Sequence, residues 1–414
     1  MNVYKFGGAS VNSAAAVRNV ASIVRRFGGN PLLVVVSAMG KTTNQLERLV
    51  PGIPASDEER QESLSRLCHY HRQIAHELFP EGHPALEKME HLLRLLDQAT
   101  RKSPTSYNVD YDQTVCFGEL LSSVIVAAYL QAQWADVRDI IRTDANYREG
   151  HVDWGLTRQN VRNILIPMLQ DGVVVTQGFI AGAPSNTTCT LGREGSDYTA
   201  AILSHCLEAK EMTIWKDVPG FLNADPKFFP DTVKMRRIPY GEAIELAYYG
   251  ASVIHPKTVQ PIQNKSIALH IRSFLNPEAE GSVVGPFSSI EPQTPLYIFR
   301  NDQVLLSIHP RDFSFIAEDN LQVIFATLAT LGIRVNLMQN SALSFSVCVD
   351  HNEVLLAQLR DLLGQHFLLR HNQDLQLITI RHYTQRIIDS IVAGRPVLLE
   401  QRSRATIQLV VERQ

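Results

Sequence analysis

The chain has 414 residues, of which 45% are hydrophobic and 20% are charged, and its formal net charge is −3. This length and composition predict a globular protein of two or three domains. The slightly acidic charge balance provides no basic field, so we expect no nucleic acid and no membrane as a partner. The five cysteines are scattered without CxxC spacing, which favours neither a disulfide framework nor a zinc site and fits a cytoplasmic protein.

We expect no targeting segment at the N-terminus. It enters an apparent strand at 3–6 directly, without a charged region followed by an apolar one, so we expect an unprocessed chain. We also find no apolar run approaching the ~20 residues of a membrane span. Both observations predict a soluble protein.

Strands and helices alternate through the first half of the chain. The strand at 3–6 is followed by a helix over 14–27 and a continuous apolar run at 32–36, and similar runs recur at 172–176 and 211–215. Strands that are apolar on both faces are typical of a parallel sheet covered by helices. Each run ends in a polar or glycine-rich loop, and ligands bind beyond the carboxyl ends of such strands. We therefore expect the binding site at these loops.

A helical segment interrupts this alternation. Residues 56–101 carry Glu, His, Arg and Leu at helical spacing without a strand pattern, which predicts two or three inserted helices. Its histidines lack a supporting carboxylate pattern, so we interpret them as surface residues rather than metal ligands. They are His69, His71, His76, His83 and His91.

The last third of the chain has a different pattern. A stretch rich in proline and glycine over 276–295 predicts a linker. Beyond it, βαββα over 303–363 is followed by βαββ over 375–411. Two copies of one small α/β unit indicate a tandem sensor module, whose second copy is either incomplete or shares a sheet with the first. The predicted organisation is an α/β domain at 1–285, a linker at 286–295 and the tandem module at 296–414.

The loops after the first two strands favour phosphate. KFGGAS at 5–10 has two glycines that let the backbone approach a phosphate, and Lys5 supplies a positive charge. Alone, this pattern is equally typical of a structural turn, and it does not match the GxxxxGK[ST] P-loop. Residues 37–44 are rich in hydroxyls at a helix start, which favours an anion, although a plain N-cap explains Thr42 or Thr43 as well.

Three later segments add charged groups. Glu119 opens an apolar helix, where it either contacts a ligand or balances the helix dipole. The loop at 187–200 places Arg193 and Asp197 among glycines; arginine offers a planar fork for a carboxylate, and aspartate at a helix start can hold a lysine or a metal. The loop at 215–227 mixes an aromatic residue, lysines and carboxylates, which suits a nucleotide.

In this order, the segments resemble the aspartate kinases of the amino-acid kinase superfamily over residues 1 to about 285, and the tail resembles their ACT domains. The segments are KFGGAS, VVSAMGKTTN, GELLS, TLGREGSDYTA, WKDVPGFLNADPK and GASVIHP. The resemblance implies an α/β fold with a mainly parallel central sheet sandwiched by helices, followed by ferredoxin-like ACT modules. It also implies transfer of the γ-phosphoryl group of MgATP to the β-carboxylate of L-aspartate, which begins lysine, threonine and methionine biosynthesis.

The resemblance implies a role for each matching residue. Lys5 and Asp197 would be catalytic, with Asp197 orienting Lys5 and the magnesium-bound phosphates. Glu119 would lie near the α-amine of aspartate and Arg193 on a carboxylate. The implied aspartate contacts are Ser37, Thr43, Glu119, Phe179, Arg193 and Ser196. The implied nucleotide contacts are Lys5, Gly7, Gly8, Ser10, Lys216, Asp217, Leu222, Asp225, Lys227 and Lys257. No protein ligand is assigned to Mg²⁺.

The implied chemistry agrees with these residue types. A side-chain carboxylate with a pKa of ~3.9 is already ionised at neutral pH, so this nucleophile needs no general base. Phosphoryl transfer instead needs in-line positioning and neutralisation of oxygen charge, which lysine, arginine, glycine N–H groups and Mg²⁺ can supply.

The chain departs from the family pattern at several positions. They are Ala9 for Thr, Glu194 for Gly, Lys216 for Thr, Leu222 for Tyr, and Ser252 for a phosphate-binding Lys. Either Lys216 or Lys257 replaces the missing charge, or Lys257 is only a surface residue of its helix. Because the departures spare Lys5, Arg193 and Asp197, we expect activity to survive.

The ACT-like tail implies a homodimer or a higher homo-oligomer and an amino-acid effector, lysine or threonine. Asn336 stands where lysine-sensing members tend to have Asp, and a neutral amide holds an ammonium group less well. Dimerisation without a ligand is the alternative role for this tail.

Two other functions compete with the aspartate kinase hypothesis. Another kinase of the superfamily, acting on glutamate, acetylglutamate, carbamate or UMP, would share the early glycine loop but not the later motifs or the tail. A non-catalytic amino-acid sensor would not need the intact set of Lys5, Glu119, Arg193 and Asp197. Because the sequence stops soon after the tail, we expect no fused homoserine dehydrogenase.

Overall fold

The computed structural model describes residues 1–251, 253–312 and 314–413, and the elements below belong to these ranges. The chain divides into two compact units. The first consists of Met1–Phe221, Lys234–Ala247 and Ser252–Pro292. The second consists of Leu222–Val233, Tyr248–Ala251 and Gln293–Gln414. Two short segments from within the predicted catalytic domain thus group with the C-terminal residues.

The first unit alternates strands and helices. Its strands are β1 (Asn2–Phe6), β2 (Leu32–Val36), β3 (Gln133–Ala135), β4 (Val173–Gln177), β5 (Ile180–Gly182), β6 (Thr188–Thr190), β7 (Glu211–Lys216), β8 (Arg237–Pro239), β9 (Ala268–Ser273) and β10 (Ser282–Gly285). Its helices are α1 (Ala14–Phe27), α2 (Thr42–Glu47), α3 (Asp57–Leu78), α4 (Pro84–Thr100), α5 (Tyr107–Leu130), α6 (Val137–Ile140), α7 (Trp154–Asn160), α8 (Ile166–Gln170), α9 (Gly195–Leu207), α10 (Tyr240–Tyr249) and α11 (Pro256–Gln263). The last residues of α10 belong to the second unit.

One mainly parallel sheet forms the centre of this unit. Its order is β3-β4-β2-β1-β7-β9-β10-β8, and every neighbouring pair is parallel except β9 and β10. Every residue of β2 is buried, as expected for a strand with helices on both faces. The arrangement confirms the predicted α/β class.

The register of four central strands brings their carboxyl ends to one edge. Phe6, the last residue of β1, pairs with Val36 of β2 and with Trp215 of β7, and Val36 pairs with Gln177 of β4. The loops after these strands therefore meet at the same edge of the sheet, where ligands bind in open α/β sheets.

The predicted helical insertion consists of α3 and α4. The Ser56 hydroxyl accepts a hydrogen bond from the Glu59 N–H at 3.2 Å and so caps α3. Three acidic residues, Asp57 to Glu59, follow in the first turn, where negative charge is stabilised by the helix dipole. Capping and charge thus both fix the start of this helix.

The prediction that the histidines of this insertion lie at the surface is wrong for His71. Its side chain is fully buried, and its Nδ1 lies 2.9 Å from the Leu67 carbonyl oxygen. His69, His76 and His91 are exposed, and His83 is half-buried. Burial lowers the pKa of His71 to about 4, because apolar surroundings disfavour the charged imidazolium. His71 is therefore a neutral core residue.

The apolar helix α5 also differs from expectation. It is long and apolar enough to span a membrane by length and composition, and it is the one helix of this kind among the described residues. However, 78% of its apolar window is buried inside the structure, and it packs against α4 and β4. A core helix passes the same test, so the feature is explained by packing within the first unit.

The second unit is built on one antiparallel sheet. Its strands are β11 (Leu296–Pro310), β12 (Val335–Asn340), β13 (Phe345–Asp350), β14 (Phe367–Arg381), β15 (Val397–Arg402) and β16 (Thr406–Glu412), and its helices are α12 (Glu318–Thr330), α13 (Glu353–Leu363) and α14 (Gln385–Val392). The order is β12-β13-β11-β14-β16-β15. Because the long strands β11 and β14 pair at the centre, the two copies share a sheet, which is one of the two arrangements that the sequence leaves open.

We expect His71 to make the stability of the protein depend on pH. The unfolded chain protonates His71 at its ordinary pKa of ~6.5, whereas the folded protein keeps it neutral down to about pH 4. This contribution is fully present above pH ~6.5 and is lost as the pH falls towards 4, on the order of 3 kcal/mol. Urea unfolding of the wild type and of His71→Gln at pH 7 and pH 4 measures it. Equal pH dependence in both proteins would contradict the assignment.

Candidate active site

A cleft of about 790 Å³ lies in the first unit at the carboxyl ends of β1, β2 and β4. Many residues with a predicted role line it, although they are far apart in the sequence. They are Lys5, Gly8, Ser37, Thr43, Glu119, Phe179, Arg193, Ser196 and Asp197. The strand-end loops therefore form one site, as the parallel register requires.

Gly8 allows two of these loops to touch. A Cβ atom at this position would lie 2.8 Å from the carbonyl oxygens of Ala38 and Gly40, closer than a side chain can approach. The Gly40 N–H donates to the Gly8 carbonyl at 3.0 Å. The hydroxyl of Ser10 is buried and donates to the Trp215 carbonyl at 3.5 Å. In this structure Gly8 thus shapes the cleft, while Ser10 joins β1 to β7.

A buried ion cluster lies at the ends of β1 and β7. Asp197, in the first turn of α9, is fully buried; the Lys5 Nζ lies 2.6 Å from its Oδ1, and the Lys216 Nζ lies 3.3 Å from its Oδ2. Burial alone would raise the pKa of Asp197, but the two lysine charges hold it below its ordinary value. The cluster therefore places two lysine amines on one buried carboxylate at the strand ends.

Lys216 is held as a cation by further contacts. Its Nζ donates to the Val253 carbonyl at 2.6 Å and lies 4.0 Å from the Glu194 carboxylate. Burial works to lower the pKa of Lys216, but the charges of Asp197, Glu194 and Asp217 outweigh it, so the pKa is raised. Two of the departures from the family pattern, Glu194 and Lys216, are thus neighbours in space.

Glu194 lies at the N-cap of α9 with a φ of 54°. This left-handed conformation is strained for a residue with a Cβ atom and is readily adopted by glycine. The geometry therefore explains why a glycine suits this position, and it indicates that Glu194 is retained at some cost in backbone energy.

Glu119 is a fully buried carboxyl group in the wall of the cleft. Its Oε1 accepts the Ala38 N–H at 3.2 Å, while its Oε2 has no hydrogen-bond partner among the described residues. Burial raises the pKa of Glu119 to about 8 against the opposing effects of the Ala38 N–H and Lys5. The alternative role as a first-turn dipole partner is wrong, because α5 begins at Tyr107.

The hydroxyl-rich loop at 37–44 leads into α2. The N-cap residue of this helix is Lys41, without a side-chain capping bond, and the Thr42 hydroxyl donates to the Met39 carbonyl at 2.6 Å. The N-cap interpretation of Thr42 or Thr43 is therefore wrong. Thr43 lines the cleft together with Ser37.

Glycines bring the opposite wall together. A Cβ atom on Gly178 would lie 2.5 Å from the Cβ of Ser196, and one on Gly195 would lie 2.6 Å from the Phe179 ring. These contacts seat the loop after β4 directly on the start of α9. Arg193 is exposed beside them, and no ion pair joins its guanidinium to a described carboxylate.

The remaining predicted nucleotide residues are dispersed. Gly7 lies beside the Lys5 amine, since a Cβ atom there would be 3.5 Å from it. Asp217 is exposed after β7, and the N–H of the half-buried Lys257 donates to His255 Nδ1 at the start of α11. The others belong to the second unit and stay predictions: Leu222, Asp225 and Lys227. Ser252 lies outside the described residues.

Several lining residues were missed by the sequence analysis. They are Asn108, Tyr111, Asn146, Tyr147, Arg148 and Glu149. The first two lie in the polar first turns of α5. The apolar pattern predicted the start of this helix near Glu119, so these turns were not recognised as helical. The other four form a polar loop that matches none of the motifs, and the only sign of it was an arginine among polar residues after a short strand.

The family-level comparisons agree with this geometry. A model of the amino acid kinase family matches residues 1–273, and lysine-sensitive aspartokinase 3 of Escherichia coli K12 is 34% identical over 363 residues, covering 84% of this chain and 78% of that protein. The chain belongs to the aspartokinases. It also matches bifunctional aspartokinase/homoserine dehydrogenase 2 of Arabidopsis thaliana at 30% identity, covering 68% of this chain but only 32% of that protein.

Two solved structures of E. coli aspartokinase III share this aspartokinase fold. One is a complex with aspartate and ADP in the R-state, and the other is a complex with lysine and aspartate in the T-state. Each has a TM-score of 0.83 and 27% identity, and covers 100% of this chain and 96% of that chain. The catalytic fold and the C-terminal modules predicted from the sequence are thus both confirmed.

We expect Glu194→Gly to stabilise the protein. Glycine relieves the left-handed backbone at φ 54°, which should raise the free energy of unfolding by roughly 1 kcal/mol. Urea unfolding measures this change. Glu194→Gln is the matched control, because it removes the charge near Lys216 but keeps the strained backbone. A glycine variant less stable than the glutamine variant would contradict the strain argument.

Proposed function

We propose that this protein is an aspartate kinase, which transfers the γ-phosphoryl group of MgATP to the β-carboxylate of L-aspartate and forms 4-phospho-L-aspartate. The observation that carries the proposal is the ion cluster of Lys5, Asp197 and Lys216 in a chain of the aspartokinase family. Of this cluster, Lys5 and Asp197 line the cleft together with Glu119 and Arg193. In this role it begins lysine, threonine and methionine biosynthesis in the cytoplasm.

The residues present suit this chemistry. The β-carboxylate of aspartate is ionised at neutral pH, so the reaction needs no side chain to remove a proton from the nucleophile. Lys5 and Lys216 place positive charge where the phosphate oxygens gain negative charge, in a buried setting that strengthens the interaction. Their fixation by Asp197 means that little reorganisation is needed during transfer.

Mg²⁺ fits this cleft as a partner of the nucleotide. Among the described residues no group of three His, Cys, Asp or Glu side chains could hold a metal ion, and Asp197 is already engaged by two lysines. Magnesium commonly binds through substrate phosphates with one or two carboxylates. When bound, it would neutralise phosphate oxygen charge. Asp197 would orient Lys5 and the magnesium-bound phosphates, and no protein ligand is assigned to Mg²⁺.

The substrate amino acid has a complementary wall. Glu119 offers the unpartnered Oε2 to the α-ammonium group, and Arg193 offers a planar fork to a carboxylate. Ser37, Thr43 and Ser196 supply hydroxyls, and Phe179 supplies an apolar surface. A substrate with one ammonium and two carboxylate groups matches this set.

The nucleotide contacts follow from the cluster. Lys5, Gly7 and Gly8 would meet the β- and γ-phosphates, with Ser10 fixing their loop. Lys216 would supply the positive charge that the family has from a lysine at position 252, where this chain has serine. Its amine contacts the same carboxylate, Asp197, as Lys5 does. Further proposed contacts, from the resemblance alone, are Asp217, Leu222, Asp225 and Lys227, while Lys257 is the alternative to Lys216 as the replacement charge.

We propose that the second unit binds an amino-acid effector, because one solved structure of E. coli aspartokinase III is a complex with lysine. We propose from its resemblance to ACT domains that it also forms a homo-oligomer. Asn336 is engaged within this unit: its Oδ1 accepts from Arg300 Nη1 at 2.9 Å, and its Nδ2 donates to Gln303 and Asp350 at 2.9 and 2.8 Å. An aspartate at this position would lose both donors and face the Asp350 charge. Asn336 therefore serves hydrogen bonds within the second unit, and the identity of the effector, lysine or threonine, stays a prediction.

The central test is aspartate-dependent acyl phosphate formation, trapped with hydroxylamine. We expect the wild type to form hydroxamate from L-aspartate and not from L-glutamate, and Lys5→Met to lose at least about 10²-fold in kcat because it removes charge from the phosphate site. Lys210→Ala, at an exposed lysine beyond α9, is the matched control. Hydroxamate from glutamate alone would favour another kinase of the family, and none from either substrate would favour a sensor.

Glu119 should make aspartate binding depend on pH. The ammonium group needs the ionised carboxylate, but the pKa of about 8 leaves the free enzyme mostly protonated at neutral pH. The KM for aspartate should therefore fall about tenfold between pH 6 and 7 and level off above pH 8. In Glu119→Gln the KM should be higher and nearly independent of pH, while the KM for ATP serves as the internal control. The same pH profile in both proteins would rule out this role.

A further inference from the structure

Arg148 lines the cleft but has no role in the assignments above. Its backbone has a φ of 71°, and its N–H donates to the Oδ2 of Asp112 at 2.8 Å. Asp112 is fully buried. The position of Arg148 is therefore set by a bond to the core and not by its own exposed loop.

The Asp112 carboxylate also holds the strand end that leads into the loop with Arg193. Asp112 also accepts the N–H of Thr190 at 2.9 Å and the Thr190 hydroxyl at 2.8 Å. Thr190 is the last residue of β6, and the loop carrying Arg193 follows it. A Cβ atom on Gly192 would lie 3.3 Å from the Arg148 carbonyl oxygen, so the two arginine-bearing loops are in contact.

Aromatic rings hold the guanidinium of Arg148. It lies 4.5 Å from the ring centre of Tyr111 and 5.4 Å from that of Tyr107, and the Tyr111 hydroxyl donates to Glu47 at 2.8 Å. Stacking on aromatic rings attracts the cation through the ring faces while leaving the edge of its planar fork available. In the described part of the chain, no carboxylate pairs with this guanidinium.

The charges around the cleft indicate which chemical group the Arg148 guanidinium binds. Lys5 and Lys216 surround Asp197 at the strand ends, where the phosphates are proposed to bind. Arg148 and Arg193 belong to the other wall, with the exposed Glu149 beside them. An arginine fork matches a carboxylate in two-point geometry. A substrate with two carboxylates can engage two such forks.

We propose that Arg148 is a second carboxylate-binding residue, which together with Arg193 selects a dicarboxylic amino acid. This inference rests on the proposed aspartate kinase activity and deepens it by assigning the substrate preference. Arg148 acts on binding of the amino acid and takes no part in the transfer of the phosphoryl group.

The test compares Arg148→Gly and Arg148→Lys with the wild type. Glycine tolerates the φ of 71°, so loss of folding is not expected, and lysine keeps the charge but not the fork. We expect Arg148→Gly to raise the KM for aspartate about tenfold, the loss of one charge-assisted contact. The KM of Arg148→Lys for aspartate should lie between the values of the wild type and of Arg148→Gly. The kcat and the KM for ATP should stay within about twofold of the wild type.

A second measurement separates carboxylate binding from a structural effect. Succinate, which has two carboxylates and no ammonium group, should inhibit the wild type competitively with aspartate and should inhibit Arg148→Gly about tenfold more weakly. Arg94→Ala, at an exposed arginine of α4, is the control and should change neither value.

The outcomes are distinct. A raised KM for ATP with an unchanged KM for aspartate would assign the guanidinium to the nucleotide and overturn the proposal, and so would unchanged values for both substrates and for succinate. If the wild type itself forms no hydroxamate from aspartate, the proposed function fails and this inference fails with it.

Discussion

The active cleft depends on one buried carboxylate, Asp197, shared by Lys5 and Lys216. Burying charged groups is costly, and removal of Asp197 would leave two neighbouring lysine charges without their shared counter-ion. The cluster joins β1, β7 and the first turn of α9, so it fixes the parts of the fold that surround the proposed phosphate site. The ion pairs of Asp197 therefore also hold the ends of β1 and β7 in position.

Close backbone contact is the second condition for the cleft. Gly8 meets the loop after β2, while Gly178 and Gly195 let the loop after β4 lie against α9. The parallel register supplies the common edge, and these glycines allow the loops to close over it. Side chains that are distant in the sequence thus become neighbours without a long connecting element.

Periodicity and glycine placement made much of this predictable. The bounds of α1 and β2 coincide with the apolar pattern, because amphipathic helices and buried strands differ clearly in it. The start of α5 was missed because its first turns contain polar residues such as Asp112, which is buried by long-range bonds to Thr190. His71 and Arg148 were missed for the same physical reason: tertiary contacts, and not local pattern, determine their surroundings.

The second unit is built from separate segments of the chain, so the two units cannot be separated by one cut. Leu222–Val233 belongs to it, and within it Phe228 stacks on Phe299 at 4.8 Å while the Asn223 carbonyl accepts the Tyr297 N–H at 2.7 Å. No single cut of the chain can therefore yield two complete halves. A fragment ending at Pro292 would keep Phe228 without its aromatic partner Phe299 and would expose an apolar surface. The second unit is therefore complete only when both of these stretches of the chain are present.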